Sequence, residues 1–398
     1  MNILLLCHEY PPLGGGGGIG ANQYAEAWSQ SGHKVTVLTS WRPGLKFKET
    51  LNGARVVRVF TIPRRDRARF SFSGMLSYIG FGLVHILSRR SDYRQNDVIN
   101  IHFSLPGGVL GILAGRMLGI PCILTIIGGD IYDPTKRSSP HRSVLMRMVN
   151  SLVMNSADKL IAISSDTKRN AQRYYNVRNE ITVINYGFPF TMWRSEGLPE
   201  IKKEDGKYHL VAIGRLVERK GFQYLIKALA SLPENVVLSL IGDGPLEADL
   251  SKLAAECNLN GRLRMTGYVP RRKIYSYLQS ADCFVLSSLH EGLGIVIQEA
   301  MYAGLPIVST DNGGQVDIIE NYRNGILVKP RESEPLAVAI KEIYENTELA
   351  ETMKRNNRAD IKRHYMTANA QTYIELFETT LRDTVSLSPK RRIESEVR

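Results

Sequence analysis

Apolar residues along this chain fall into short continuous runs, each followed by a longer stretch in which they recur every three or four positions. In the first half the runs Ile3–Cys7, Lys34–Thr39, Arg55–Phe60, Val98–His102, Cys122–Ile127, Leu160–Ile163 and Ile181–Ile184 predict strands. Helices fit between most of them, among them Ile19–Gln30, Gly108–Leu118 and Ser164–Tyr175. The alternation stops over residues 188–207, FPFTMWRSEGLPEIKKEDGK, a charged and turn-rich segment that reads as a linker. It then restarts, with strands at His209–Ile213, Val236–Ile241, Leu263–Thr266, Cys283–Leu286, Pro306–Ser309 and Gly325–Val328. Strands alternating with helices imply an α/β fold with parallel sheets. Two doubly wound domains are expected, over residues 1–187 and 208–370, and ligands of such sheets bind outside the carboxyl ends of the strands. A helix over 371–384 is long enough to cross back to the first domain, and residues 385–398, without apolar periodicity, read as a disordered tail.

The length of 398 residues suits two or three domains, at roughly 100–200 residues each. A hydrophobic fraction of 43% and a charged fraction of 23% are those of an ordinary globular protein, which excludes collagen-like, disulfide-scaffold and wholly disordered chains. The net charge of +12 changes the picture because it is uneven. Residues 1–190 carry 23 basic and 11 acidic side chains, whereas residues 191–398 carry 28 of each. The first half therefore has a surface suited to something anionic. The basic residues cluster at Arg64, Arg65, Arg67 and Arg69, at Arg89, Arg90 and Arg94, and at Lys136, Arg137, Arg142 and Arg147. Between the first two clusters lies the uncharged stretch Phe70–Ser88, too broken by glycine and serine to read as a membrane span but suited to a helix lying on a membrane surface. Nucleic acid is not expected, since no basic–aromatic binding module is present. Cys7, Cys122, Cys257 and Cys283 sit far apart in apolar runs and read as core residues of a reducing compartment. The opening MNILLLC reads as a buried strand rather than a secretory leader, so a cytoplasmic location is expected.

Three segments carry candidate chemistry. Residues 14–20, GGGGGIG, follow a strand and precede a helix. Gly15, Gly17 and Gly20 satisfy the G-x-G-x-x-G spacing of dinucleotide sites. However, HEYPPL intervenes after the strand, and the second strand ends in Thr39-Ser40 with no acid for a ribose hydroxyl. Side-chain-free backbone that can approach phosphate at a helix N-terminus is the simpler reading. In the second half, GRLVERKG at 214–221 places Arg215 and Lys220 on a loop that opens a helix, where two cations and free backbone donors would meet phosphate. IGDGP at 241–245 reads as a structural strand-to-helix turn. In HEGLGIVIQEAMYAGLPIVSTDNGG, Glu291 and Glu299 are eight residues apart. On one ideal helix they would point about 80° apart, so the pair makes sense if Glu291 precedes a helix that contains Glu299, with Gly292 and Gly294 at the turn. A buried carboxylate there needs hydrogen-bond donors, which sugar hydroxyls would supply.

Taken together, GRL-x-x-x-KG, a glutamate followed after seven residues by a second, A-x-x-A-G-x-P-I-V and N-G-G resemble the nucleotide-sugar glycosyltransferases of family 4. The opening EYPPLGGGGGIGANQYAEAWSQSGHKVTVLT, the strand ending in His102 and the Asn185–Gly187 segment resemble the same family, so the likeness runs from residue 1 to about 370. It implies the GT-B fold, two Rossmann-like domains facing across a cleft, with the donor mainly on the C-terminal one. It also implies transfer of a sugar from a UDP- or GDP-sugar to an acceptor hydroxyl, with retention at the anomeric carbon and without metal. By the same resemblance, Arg215 and Lys220 hold the diphosphate, Glu299 binds the ribose and Glu291 the transferred sugar. Backbone N–H groups over Gly292, Leu293, Gly294 and Ile295 meet the distal phosphate, the Val269 region meets the base, and Gly17 and Gly18 close over the diphosphate. His102 and Asp130 would stand on the acceptor side.

No Asp-x-Asp occurs, so the usual carboxylate pair of a metal-bridged diphosphate is missing. The chain departs from the family pattern at Ile127, where a histidine commonly meets the sugar, at Leu293, where phenylalanine is frequent, and at Asp317, where glutamate is common. Two other readings compete on the same fold: a sugar-nucleotide epimerase, which would need further acids and histidines to move a proton, and a non-catalytic sugar-nucleotide-binding protein. The basic first half points to a lipid-linked or polyanionic acceptor and to peripheral contact with an anionic inner membrane face.

Overall fold

A computed structural model describes residues 1–62, 72–189 and 201–395, with side chains to residue 384. The arginines at 64–69, Phe70 and most of the expected linker lie outside the described residues. The chain forms two compact units, one of residues 1–132, 138–187 and 366–398, the other of residues 133–137 and 188–365.

The first unit is built on eight strands: β1 (Asn2–Leu6), β2 (Lys34–Ser40), β3 (Lys48–Leu51), β4 (Ala54–Val59), β5 (Val98–His102), β6 (Cys122–Ile126), β7 (Lys159–Ala162) and β8 (Ile181–Val183). Their helices are α1 (Gly16–Gln30), α2 (Phe72–Leu87), α3 (Arg90–Tyr93), α4 (Val109–Leu118), α5 (Val144–Ser156) and α6 (Ser165–Tyr174). The sheet order is β3-β4-β2-β1-β5-β6-β7-β8, parallel except for β3. The strand β3, KETL, has no apolar run to announce it; it pairs antiparallel with the edge of β4. The inner strands are continuous apolar runs because helices cover both faces of a parallel sheet.

The second unit has β9 (Tyr208–Ile213), β10 (Val236–Ile241), β11 (Leu263–Met265), β12 (Cys283–Leu286), β13 (Ile307–Thr310) and β14 (Ile326–Val328). All are parallel, in the order β11-β10-β9-β12-β13-β14. The helices are α7 (Phe222–Ala230), α8 (Glu247–Glu256), α9 (Arg271–Gln279), α10 (Ile295–Ala303), α11 (Glu334–Glu345) and α12 (Thr347–Asp360). Counting from the first strand of each unit, and setting β3 aside, the second sheet runs 3-2-1-4-5-6, the doubly wound order, and the first runs the same way with β8 added as a seventh strand, so each has a switch point beside its first strand. These points lie between β1 and β5 and between β9 and β12.

The last helix, α13 (Met366–Ser395), groups with the first unit and runs through the boundaries expected after residues 370 and 384. The stretch read as a disordered tail is helical as far as Ser395. The reason for the earlier start is aromatic: Tyr373 and Phe377, both fully buried, pack on Tyr24 and Trp28 of α1. The Trp28 indole donates to the Ala370 carbonyl at 3.2 Å, and the Thr125 and Tyr373 hydroxyls meet at 3.2 Å. Cys7, Cys122 and Cys283 are buried and all four cysteines are free thiols.

Candidate active site

The switch point of the second sheet brings together the loops after β9 and β12. The first loop ends in a tight turn, Glu218–Lys220, closed by Gly221 at φ +61°, a left-handed conformation that favours glycine. A Cβ on Gly221 would stand 2.2 Å from the Ser287 carbonyl oxygen, so the absence of a side chain is what lets the two loops touch. The Leu289 amide donates to the Arg219 carbonyl at 2.7 Å, and the Ser287 hydroxyl donates to the Lys220 carbonyl at 3.0 Å.

This backbone clasp carries the side chains of Arg219 and Lys220 onto Glu291. Lys220 Nζ donates to Glu291 Oε1, which also accepts from the Ser288 hydroxyl at 2.7 Å. Arg219 Nη1 donates to Glu291 Oε2 at 3.1 Å and to the His290 carbonyl at 2.9 Å. Lys220 and Glu291 are 8% and 6% exposed, so the pair is buried. Burial alone would raise the Glu291 carboxyl, but Lys220 and Arg219 outweigh it and hold it at about 2. The turn after β13 braces the glutamate from behind, with the Gly314 amide on the Glu291 carbonyl at 2.8 Å and Asn312 donating to the Leu289 carbonyl at 2.8 Å.

Glu291 precedes α10, Gly294 starts that helix in the left-handed conformation at φ +86°, and Glu299 lies within it. The first turn of α10 has no side-chain cap, and the Ile297 amide turns back to the Gly294 carbonyl at 2.8 Å. Leu293 is buried, whereas Gly292 and Ile295 are half-buried. The side-chain hydrogen bonds of the two glutamates go to different residues. Glu299, 3% exposed, accepts from Arg271 Nη2 at 2.7 Å. Its carboxyl is raised by burial, which the Arg271 cation only partly offsets. Arg215 is exposed, and Val269 is half-buried, two residues before Arg271 at the start of α9. The IGDGP turn is structural: the Leu216 amide donates to the Asp243 carbonyl at 2.8 Å. Arg219 and Arg271 are the site residues that sequence reasoning missed. Arg219 could have been found by its place beside Lys220, but Arg271, at a helix start after proline, carries no comparable signal.

At the switch point of the first sheet the placement differs from expectation in two respects. Helix α1 begins at Gly16, not Ile19, so Gly17 and Gly18 stand in its first turn rather than in a loop. A Cβ on Gly18 would lie 1.6 Å from the Glu9 carbonyl, so packing of the helix onto the end of β1 itself demands glycine there. Beside Gly17 are the Phe103 ring and the Ile127 side chain. Phe103, directly after β5, sits at φ +76°, a strained conformation for an aromatic residue, with its ring on His8 at 4.6 Å. Secondly, Asp130 is engaged by backbone: its carboxylate accepts from the Ser104 amide at 2.7 Å and the Ile127 amide at 3.0 Å. It ties the loops after β5 and β6 together, and burial, only partly offset by these bonds, lifts it to about 6. His102 is fully buried with Nδ1 3.1 Å from the Tyr186 hydroxyl, and burial lowers it to about 3, so it is a neutral core residue.

Two family models cover most of the chain: a glycosyl transferase 4-like domain over residues 15–187 and glycosyl transferases group 1 over residues 195–360. A Bacillus subtilis glycosyltransferase named for teichuronic acid biosynthesis is 29% identical over 257 residues, 64% of this chain and 62% of that protein. The Escherichia coli UDP-Gal:alpha-D-GlcNAc-diphosphoundecaprenol alpha-1,3-galactosyltransferase is 27% identical over 322 residues, 77% of this chain and 79% of that one. Among solved structures, sucrose-phosphate synthase of Thermosynechococcus elongatus superimposes with a TM-score of 0.82 at 22% identity, covering 95% of this chain and 98% of the other. Anabaena HepE, solved with UDP-glucose, gives 0.74 at 22% identity over 95% and 100%. These likenesses establish the GT-B fold. With both domain models matched in order, the chain belongs to the group 1 glycosyltransferases with a family 4-like first domain, and it is a glycosyl-transferring enzyme.

Proposed function

We propose that this glycosyltransferase moves a sugar from a nucleoside-diphosphate sugar, UDP- or GDP-linked, to an acceptor hydroxyl with retention at the anomeric carbon and without a metal ion. The observation that carries the reading is the buried Lys220–Glu291–Arg219 cluster at the switch point of the second sheet, with Arg215 exposed on the same loop as the two cations. Breaking the glycosyl–phosphate bond builds negative charge on the departing diphosphate, and cations fixed beforehand stabilise it most at that moment. Arg215 and Lys220 take that role, assisted by the backbone N–H groups over Gly292–Ile295. Glu291, kept ionised by its two cations, accepts hydroxyl hydrogen bonds of the transferred sugar, and Glu299 those of the ribose. Val269 lies against the base, and Gly17 and Gly18 offer close approach to the diphosphate. No side chain is assigned to metal, since the chain has no Asp-x-Asp and the two cations already oppose the diphosphate.

The galactosyltransferase relative takes UDP-Gal and a diphosphoundecaprenol-linked acceptor by its name, and the Anabaena structure holds UDP-glucose. Together with the basic first half, these support a lipid-linked or polysaccharide acceptor and an enzyme at the cytoplasmic membrane face. Incubating the protein with a panel of nucleotide-sugars and following release of nucleoside diphosphate tests the donor reading. Slow hydrolysis of one donor is expected. Binding without turnover, or interconversion of the sugar, would overturn it in favour of a binding protein or an epimerase.

A further inference from the structure

The first unit carries an apolar outer surface that its own fold leaves uncovered. The connections from β4 to β5, β5 to β6 and β6 to β7 all move the same way along the sheet, so right-handed crossovers put α2, α4 and α5 side by side on one face. Gly82 of α2 lies against Leu110 of α4, and Gly108 before α4 lies against Val153 of α5. Arg116 of α4 donates to the Ser156 hydroxyl at the end of α5 at 3.1 Å.

The inner faces of these helices fill the core, as Tyr78, Leu110 and Met154 do. The outer faces ought to be polar, and they are not. On α5, Val144, Leu145, Met148 and Leu152 are 63–68% exposed and fall within about 100° of the helix circumference. On α4, Leu113 and Met117 are exposed, and on α2, Phe72, Leu76 and Val84. The surface continues past Phe81 to Phe60 and Phe47, whose rings both stack on Trp41. Among the described residues, thirteen of the seventeen large exposed apolar side chains lie on this side of one unit. Concentration of that kind marks a docking surface.

The charges around it identify the occupant. Arg89, Arg90, Arg94, Arg116, Arg142 and Arg147 are exposed around these helices, and Asp92 is the single exposed acid over residues 72–156. A second copy docked about a two-fold axis would set this arginine rim against itself. An anionic bilayer satisfies both components, with the aliphatic side chains in the acyl boundary, aromatic groups at the interface and guanidinium groups on phosphates.

We infer that the outer faces of α2, α4 and α5 form the platform by which this enzyme rests on an anionic lipid bilayer, with α5 rather than α2 alone as its apolar centre. The inference deepens the membrane reading given above and is independent of the donor chemistry. Sedimentation with phosphatidylglycerol-containing and with pure phosphatidylcholine vesicles tests it, using full-length protein. The wild type is expected to pellet with the anionic vesicles at about 0.1 M salt and to be released at about 1 M, where the Debye length falls from about 10 to about 3 Å. Leu145→Glu/Met148→Glu/Leu152→Glu and Arg142→Glu/Arg147→Glu should each lose about tenfold or more in partitioning, with an unchanged circular-dichroism melt and unchanged donor hydrolysis. Wild type remaining in the supernatant, or either variant pelleting as wild type does, overturns the platform. So does a wild-type dimer that the α5 variant converts to monomer without any vesicle binding. Vesicle binding without donor hydrolysis by any nucleotide-sugar would leave the platform standing and remove the donor reading.

Discussion

Lys220 and Glu291, 71 residues apart in sequence, form a buried ion pair because the strands that precede them, β9 and β12, are neighbours in the sheet. Glu291 is held by Arg219 as well, whereas the Lys220 ammonium rests on Glu291. Truncating Glu291 leaves Lys220 buried without its counter-charge, which costs about 3–5 kcal/mol for comparable pairs. Glu291→Ala is therefore expected to lower urea-unfolding stability of the second unit by about that amount. Lys220→Met in the same chain should restore most of it while leaving turnover abolished. If the single variant unfolds at the wild-type urea concentration, the pair does not hold the site together.

Acid should loosen the protein in a window set by the same pair. The Glu291 carboxyl lies at about 2 against an ordinary 4.5, because its cations outweigh its burial. A carboxylate depressed on folding adds stability above its unfolded value and loses it as pH falls through the folded value. The loss should thus run from about pH 4.5 to about 2 and amount to roughly 3 kcal/mol. Asp130 works in the opposite sense. Raised by burial from 3.8 to about 6, it holds a proton in the folded state that the unfolded chain has released, so it removes stability as pH rises through that interval. Urea titrations from about pH 3 to pH 7 should show a shallower acid limb in Glu291→Gln and a flattened slope between about pH 4 and 6 in Asp130→Asn.

Arg215 offers the cleanest test of leaving-group stabilisation because it is exposed and outside the structural cluster. Arg215→Ala should lower turnover by about 10²–10³-fold with an unchanged melting temperature. Lys220→Ala should lower turnover as much but also destabilise the fold. Turnover of Arg215→Ala within about threefold of wild type would sink the role given to it.

The two glutamates should separate in calorimetry. Glu299→Ala is expected to weaken nucleoside diphosphate and nucleotide-sugar alike, whereas Glu291→Ala should weaken the nucleotide-sugar more. Arg271→Ala should resemble Glu299→Ala, because without its cation the buried Glu299 carboxyl is raised further and loses its charge as an acceptor. Equal losses for both ligands in all three variants would contradict these roles.

Donor turnover should persist in excess EDTA if, as proposed, Arg215 and Lys220 oppose the diphosphate charge in place of a bridging metal. Complete loss in chelator, restored by magnesium or manganese, would refute the metal-free mechanism.

The sheets were legible in the sequence because parallel strands buried on both faces are unbroken apolar runs, as in ILLL of β1 and CFVL of β12. The edge strand β3, KETL, was not, because half-exposed polar residues leave no such trace. The relation of Glu291 to Glu299 followed from helical geometry. Their partners did not, since Arg219 and Arg271 reach them through loops whose meeting depends on strand order rather than on local spacing. Gly17 and Gly18 could be read as ligand-facing from composition alone. Packing against Phe103 and the Glu9 carbonyl explains them equally, and only three-dimensional proximity reveals it.

Closure of the first unit by α13 sets a timetable for the nascent chain. Tyr373 and Phe377, which seal Tyr24 and Trp28, leave the ribosome only after residues 188–365 have been made. At about 5–20 residues per second that interval is on the order of ten to thirty-five seconds. Throughout it the N-terminal sheet waits with one aromatic flank open to water, while the second unit is already free to fold. Cellular yield of this enzyme should accordingly depend on chaperones that can shelter an exposed Trp28 until translation ends.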